Sequence, residues 1–240
     1  MPASIAAVAA VTIVLVHGAF ADGSGWRGVT KRLETDGYSV VAPANTLRSV
    51  GSDADVVAGL LKTIKGPVVL VGHSYGGMVI TNAARGIANV KALVYVDAFA
   101  PDKGESAAAL GAKFPGGIGA DSLAPAPLTS GVDLYIRADR FHAVFAADVD
   151  PAEAKFMAET QRAITQAAFI EPSGEPAWKT IPSWFVYGSG DLCIAPALHA
   201  FFAERAHARE VKVITGASHV AMISHPDEVA EVIERAAAAQ

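Results

Sequence analysis

Ser74, Asp191 and His219 have the residue types and the chain order that nucleophilic catalysis by a hydroxyl requires. A serine oxygen is a weak nucleophile until a base takes its proton, and the base needs a carboxylate to fix its tautomer. Ser74 lies in "LVGHSYGGMV" (70–79), where Gly72, Ser74 and Gly76 complete a G-x-S-x-G pattern. The pattern follows the strand-like "PVVLVGH" (67–73) and precedes a helix-like stretch, 76–88, which is the context that gives it meaning. A nucleophile on so tight a strand-to-helix turn projects its oxygen above the sheet, and side chains two residues either side would collide. The helix that follows aims backbone N–H groups and the positive end of its dipole at the site. The competing reading is a serine that merely caps helix 76–88.

Two further segments favour the nucleophile. "FVYGSGD" ends a strand-like run at Asp191, and "VITGASHV" ends the last one near His219, so acid and base follow Ser74 in the expected order. Each has a rival. Asp97 in "VYVDAF" ends the preceding core strand, and His225 in "SHPDEV" precedes Pro226, where a turn or capping role accounts for it. His142 reads as packing or surface, and His17 as a residue that fixes the loop after the first strand. That loop, "HGAFADGSGW" (17–26), carries small residues that let amides approach a ligand. An oxyanion hole needs two donors; the N–H groups of Tyr75 and Ala19 are expected, with Phe20 as the alternative to Ala19. There is no H-E-x-x-H, no paired cysteine and no G-x-x-x-x-G-K-[ST]. Neither metal nor cofactor is expected.

The elements that must position these residues follow from hydrophobic patterning. Apolar runs at 11–18, 38–43, 67–73, 90–99, 182–191 and 209–218 lack polar alternation, as parallel strands covered on both faces do. Helical segments at 26–36, 53–64 (capped by Ser52), 76–88, 196–206 and 226–239 alternate with them. The alternation predicts an α/β fold: a mostly parallel sheet of about six strands with helices on both faces. It breaks between 100 and 180. A Gly/Pro-rich loop there is followed by helical periodicity at 132–147 and 151–169 with no strand between them. The expected organisation is a core of 1–99 and 181–240, with a small helical cap, 100–180, inserted where the strands deliver their C-terminal ends.

With 52% hydrophobic and 18% charged residues, the 240-residue chain can build a sizeable core without disulfides or metal. A net charge of −5 without a basic block leaves no footprint for nucleic acid or an anionic membrane. The single cysteine, Cys193, cannot form an internal disulfide, and a cytoplasmic location is expected. The N-terminal run "MPASIAAVAAVTIVLV" and the "AFA" at 19–21 mimic a secretory signal, but no Lys or Arg precedes the run. It is also short of the ~20 apolar residues of a membrane span. A buried strand is the better account.

Four segments, "VLVHGAFADGSGW", "VVLVGHSYGGMVI", "ALVYVDAFAPDKGES" and "ASHVAMISHPDEVAEVI", resemble the α/β-hydrolase superfamily over essentially the whole chain. More narrowly, the sequence is similar to the branch of plant methyl esterases, hydroxynitrile lyases and bacterial carboxylesterases, including pyrethroid-hydrolysing ones. The resemblance implies the α/β-hydrolase fold, Ser74, Asp191 and His219 as the triad, the amides of Ala19 and Tyr75 as the oxyanion hole, and a small helical cap over the pocket. Hydroxynitrile lyases of this branch carry a threonine at the position of Gly18 and a lysine at that of Val220. The departures favour an esterase. The expected activity is therefore hydrolysis of small to medium, partly aromatic carboxylic esters through an acyl-enzyme. A lyase, a cofactor-free oxygenase and a non-catalytic receptor are the alternatives on this fold. Candidate pocket residues are Gly18, Phe20, Phe114, Phe141, Phe145, Phe156 and Trp184, and the expected partner is a small-molecule ester.

Overall fold

The apolar runs become strands, the inner ones buried on both faces and the two edge strands only partly covered. The structure, a computed structural model, describes residues 11–239. In chain order the first half runs β1 (Thr12–Val16), α1 (Arg27–Thr35), β2 (Ser39–Val41), α2 (Val50–Thr63), β3 (Val68–His73), α3 (Gly76–Ala83) and β4 (Val90–Val96). An insertion follows: α4 (Ala107–Lys113), β5 (Leu123–Pro127), β6 (Val132–Ile136), α5 (Ala138–Phe145), α6 (Pro151–Thr160), β7 (Ile164–Thr165) and α7 (Gln166–Ile170). The chain then returns through β8 (Ser183–Gly188), α8 (Pro196–Arg205), β9 (Glu210–Ile214), α9 (Ala221–Ser224) and α10 (Pro226–Ala238).

Six strands form one parallel sheet in the order β2-β1-β3-β4-β8-β9. All six residues of β3 and of β8 are buried, as strands sandwiched between helices must be. The edge strand β9 is half-covered, with Val211 and Val213 on its open face. From β1 the chain first steps outward to β2 and then crosses to β3 on the other side. The loops after β1 and β3 therefore meet at a switch point, the crevice in which open α/β sheets hold ligands.

Local chemistry sets the helix ends. Helix α2 begins at Val50 because the hydroxyl of Ser49, not Ser52, accepts the Ser52 N–H at 3.0 Å. Its N-terminus is also held by Glu171, whose carboxylate accepts the N–H groups of Val50 (2.7 Å) and Gly51 (3.1 Å). Helix α3 stops at Ala83, short of the expected 88.

The insertion is where the expectation of an all-helical segment fails. Residues 132–136 form a strand, and β5, β6 and β7 make a three-stranded antiparallel sheet. The alternating "VDLYI" pairs with β5 across a turn closed by Leu128 N–H to Gly131 O, 3.0 Å, with Gly131 at φ 94°. Two prolines, Pro125 and Pro127, keep β5 at the edge. The insertion is tied to the core through Arg48, which reaches Asp133 at 2.7 Å and the Ala163 carbonyl at 2.9 Å. Of the N-terminal apolar run, residues 1–10 lie outside the described residues, and Thr12–Val16 are a central strand. No helix among the described residues is long and apolar enough to cross a membrane.

Helix α3 packs so closely on the segment after β4 that a Cβ on Gly77 would sit 2.0 Å from the Phe99 carbonyl oxygen. Gly59, exposed on α2, would meet nothing within 4 Å. Gly59→Ala should stabilise the protein by about 1 kcal/mol through helix propensity. Gly77→Ala should destabilise it by about 3 kcal/mol or more, because backbone must move. Urea denaturation midpoints of the two variants against wild type check both signs.

Candidate active site

Ser74 stands between β3 and α3 with φ 54°, a left-handed conformation that costs a non-glycine residue about 1–3 kcal/mol. Its backbone is held on all sides. Its N–H donates to Val96 O (3.3 Å), and its carbonyl accepts the N–H of Gly77 (2.9 Å) and of Phe99 (3.2 Å). A Cβ on Gly76 would lie 2.5 Å from Val16 O, so only glycine lets the turn approach β1 this closely. The next side chain anchors the elbow to α2: the Tyr75 hydroxyl donates to Asp53 at 2.9 Å, and Thr46 bonds the other Asp53 oxygen. Burial, and then the charge of Asp53, pushes the Tyr75 phenol well above its ordinary range.

From the ends of three different strands the structure brings Ser74, His219 and Asp191 together. His219 Nδ1 lies 2.8 Å from Asp191 Oδ2, and His219 Nε2 lies 2.8 Å from Ser74 Oγ. An ionised carboxylate only accepts, so Nδ1 carries the proton and Nε2 presents its lone pair to the hydroxyl. All three residues are buried. Burial alone would raise the Asp191 carboxyl, but His219 and His199 hold it well below the usual carboxylate range. The Oδ1 oxygen accepts the N–H of Cys193 (2.7 Å) and Ile194 (2.9 Å). Oδ2 accepts His199 Nε2–H (2.9 Å) as well as His219. Asp191, Cys193 and His219 offer atoms within 4.8 Å of one another, as do Asp97, Asp191 and His199. In both groups the Asp191 oxygens are already engaged by four N–H donors.

The rivals are elsewhere engaged. Asp97 accepts Gly188 N–H (2.8 Å) and Ala221 N–H (3.1 Å) and makes no bond to the His219 ring. Burial first, and then the Asp191 charge beside it, pushes its carboxyl up to about 8, so at neutral pH the pair holds one charge. His225 sits at the start of α10 between Asp148 (3.4 Å) and Glu228 (3.0 Å). His142 Nε2 meets the Val149 carbonyl, and His17 braces its loop by accepting the Asn45 N–H at 2.9 Å. His73 hydrogen-bonds the His219 carbonyl through Nε2 (2.9 Å). Burial, and then the neighbouring His219, pushes it down to about 3, so it stays neutral.

Above Ser74 opens a cavity of about 510 Å³, with Ala19, Tyr75 and His219 beside the serine. The Phe20 N–H is spent on Arg162 O at 2.9 Å, which removes the alternative to Ala19 as an amide donor. Phe20, Phe114 and Phe145 line the cavity; four other expected pocket residues do not. Phe156 is 59% exposed on the outer face of α6, beside a separate groove. Phe141 is fully buried against Phe145, with ring centroids 4.9 Å apart. Trp184 is buried inside β8. Gly18 lies beneath the serine rather than along the pocket, where its Cβ would be 2.5 Å from Ser74 Cβ. Sequence reasoning missed Phe99, Phe169 and the small-residue wall along α4 and the turn after it, Ala107, Ala108, Gly111, Ala112, Gly116 and Gly117. The Ala/Gly richness of "AAALGAKFPGG" was the available signal for that wall. It also missed His199, for which no motif exists.

Residues 13–232 match the Alpha/beta hydrolase family. A carbendazim-hydrolysing esterase of a Nocardioides species is 40% identical over 112 residues, covering 40% of this chain and 46% of that protein, so the chain aligns with about half of that relative's length. A probable hydrolase, R7, of a Phoma species is 28% identical over 241 residues, covering 92% of this chain and 96% of that one. Among solved structures, polyneuridine aldehyde esterase superposes with a TM-score of 0.80 at 18% identity, covering 93% and 98% of the two chains, a likeness of fold. A pyrethroid hydrolase from Sphingobium faniae superposes with a TM-score of 0.75 at 25% identity, covering 95% and 98%. With the family match running unbroken from the first strand through the serine elbow to the helix after His219, the chain belongs to the alpha/beta hydrolase family.

Proposed function

We propose that the protein is a serine esterase for neutral, small to medium, partly aromatic carboxylic esters. The observation that carries the reading is the buried chain Ser74 Oγ, His219 Nε2, His219 Nδ1, Asp191 Oδ2, with both contacts at 2.8 Å, at the base of an apolar cavity. In this reading Ser74 Oγ attacks the ester carbonyl carbon while its proton passes to His219 Nε2. The carbonyl oxygen becomes an oxyanion that accepts hydrogen bonds from the N–H groups of Ala19 and Tyr75. Asp191 stabilises the imidazolium. Collapse breaks the bond to the alkoxy oxygen, which takes the proton from His219 and leaves as the alcohol. Water then attacks the acyl-enzyme, giving its proton to His219, and Ser74 recovers that proton as the carboxylic acid departs. The names of the relatives, an esterase of carbendazim and a hydrolase of pyrethroids, support an ester or kindred acyl substrate.

The closest competing reading is cyanohydrin cleavage on the same triad. Released cyanide needs a cation beside the histidine, and the neighbouring side chain is the buried, apolar Val220. A hydroxyl-bearing residue at position 18 would put its Cβ against Ser74. The cap lysines are occupied elsewhere: Lys113 sits 5.0 Å over the Phe201 ring and Lys155 pairs with Glu159. A receptor without turnover has no need of a hydroxyl aligned on an imidazole and a buried carboxylate.

Ser74→Ala should keep the fold and lose ester hydrolysis by ~10⁴–10⁶ in rate. A folded variant retaining more than about a tenth of wild-type activity with p-nitrophenyl esters would remove the serine from the mechanism. Asp191→Asn should lower kcat/KM far more than Asp97→Asn, because only Asp191 touches the imidazole. The reverse order would transfer the acid role to Asp97. Finally, the enzyme should hydrolyse short aryl esters and release no cyanide from mandelonitrile above the buffer rate. Enzyme-dependent cyanide release that is lost in Ser74→Ala would overturn the esterase in favour of the lyase.

A further inference from the structure

A second histidine stands behind the triad. His199 lies one turn into α8, is 1% exposed, and makes a side-chain hydrogen bond to Asp191 Oδ2, at 2.9 Å. That is the same oxygen that His219 uses at 2.8 Å. Its ring stacks on Tyr187 of β8, centroids 4.8 Å apart and planes 21° from parallel, so helix and strand together hold Nε2 on the carboxylate. An imidazole this deeply buried would be expensive without a partner. The oxygen it contacts is the one through which the carboxylate acts on the base.

We propose that His199 is a positioning residue of the catalytic acid: its Nε2–H shares Asp191 Oδ2 with His219, fixing the carboxylate plane and tempering the negative charge that His219 feels. The inference rests on the esterase reading only in assigning His219 as the base. Because Oδ2 accepts from both rings, His199 must carry its proton on Nε2, as a neutral donor or as a cation. Each donor draws charge off the oxygen, and the share that His199 takes no longer stabilises an imidazolium at His219. Titratable groups gather around this ring and the carboxylate it holds. Asp191 comes from the loop after β8, Asp97 from the end of β4, Tyr187 from β8 itself, Cys193 from the turn beyond the acid, and His219, through Asp191, from the loop after β9. Burial and the neighbouring Asp191 charge raise the Asp97 carboxyl while His219 and His199 lower that of Asp191, so the pair's negative charge is favoured on Asp191, within hydrogen-bond reach of both imidazoles.

Removing the His199 donor leaves more charge on the oxygen facing His219, the imidazolium becomes easier to form, and the free base appears only at higher pH. Two variants separate hydrogen bonding from packing. His199→Phe keeps a ring against Tyr187 and deletes the donor; His199→Gln deletes the ring and keeps an N–H at a similar reach. The kcat/KM–pH profile for an aryl ester and an NMR titration of the His219 ring are measured on wild type and both variants. The half-point should move up by about one pH unit in His199→Phe and stay near wild type in His199→Gln, whatever the loss in melting temperature. An unmoved half-point in His199→Phe, or an equal shift in both variants, would make His199 a packing residue and overturn the proposal. A wild type that turns over no ester but shows the NMR pattern would refute the esterase and leave this inference standing. Should His199→Phe fail to fold, the ¹⁵N shifts of the wild-type histidines decide: a His199 bearing its proton on Nδ1 with a bare Nε2 contradicts the shared bond, and a proton on Nε2 supports it.

Discussion

A full negative charge at Asp191 has no contact with solvent, and the fold around the site is arranged to make that tolerable. An unpaired buried carboxylate costs several kcal/mol or neutralises itself. Asp191 stays ionised because four N–H groups converge on it. Two are amides of its own turn, one comes from the helix that the turn opens, and one from the loop after the last strand. The paired chain segments cannot move independently without stranding the charge. The same constraint explains Asp97. A second carboxylate this close and equally buried has only two backbone donors, and it takes the proton that Asp191 gives up. The placement of donors therefore separates two carboxyl groups that sequence position alone leaves comparable.

The elbow adds a steric constraint to the electrostatic one. Ser74 is held left-handed because β1 and β3 are adjacent, and the loops that follow them interlock. Gly18 touches the serine from one strand end and Gly76 touches Val16 from the other. Strain of this kind persists only where the surroundings over-determine it. Here the Val96 and Phe99 contacts bring β4 into the same lock. Five of the six strands, counting β8 with Asp191 and β9 with His219 beyond their ends, thus converge on the serine.

These relations also decide what could be read from the sequence. The inner strands were legible because burial on both faces writes itself as unbroken apolar runs, and Ser74, Asp191 and His219 because each follows closely on such a run. The insertion was misread because β6 is stabilised by pairing with β5, a tertiary fact that the local pattern of "VDLYI" followed by "ADRFHAVF" blurs into one helical period. Three of the six expected pocket aromatics, Phe141, Phe156 and Trp184, failed for another reason. Phe141 and Phe145 are four apart on the same helix, yet only Phe145 lines the cavity, since side-chain direction relative to a neighbouring element is absent from spacing. Phe156 on the next helix faces out altogether. His199 was invisible because its meaning appears only when α8 folds back over the acid's own loop.

The cavity's composition bears on chemistry as much as on fit. None of the residues lining it is an aspartate, glutamate, lysine or arginine. Behind His219 lies the charge of Asp191. In the proposed attack by Ser74 an imidazolium and an oxyanion form together, and in an apolar cavity each is worth more to its partners than it would be in water. A substrate bearing its own carboxylate would shed its hydration on entry, find no cation in the lining to replace it, and feel the repulsion of Asp191 through the imidazole. A cationic substrate would lose hydration likewise and would compete for the charge that the imidazolium needs. On the proposed reaction, a neutral ester would leave that balance undisturbed. The apolar wall thus protects the one electrostatic gradient in the site, from Asp191 through His219 to the serine, on which the proposed reaction depends.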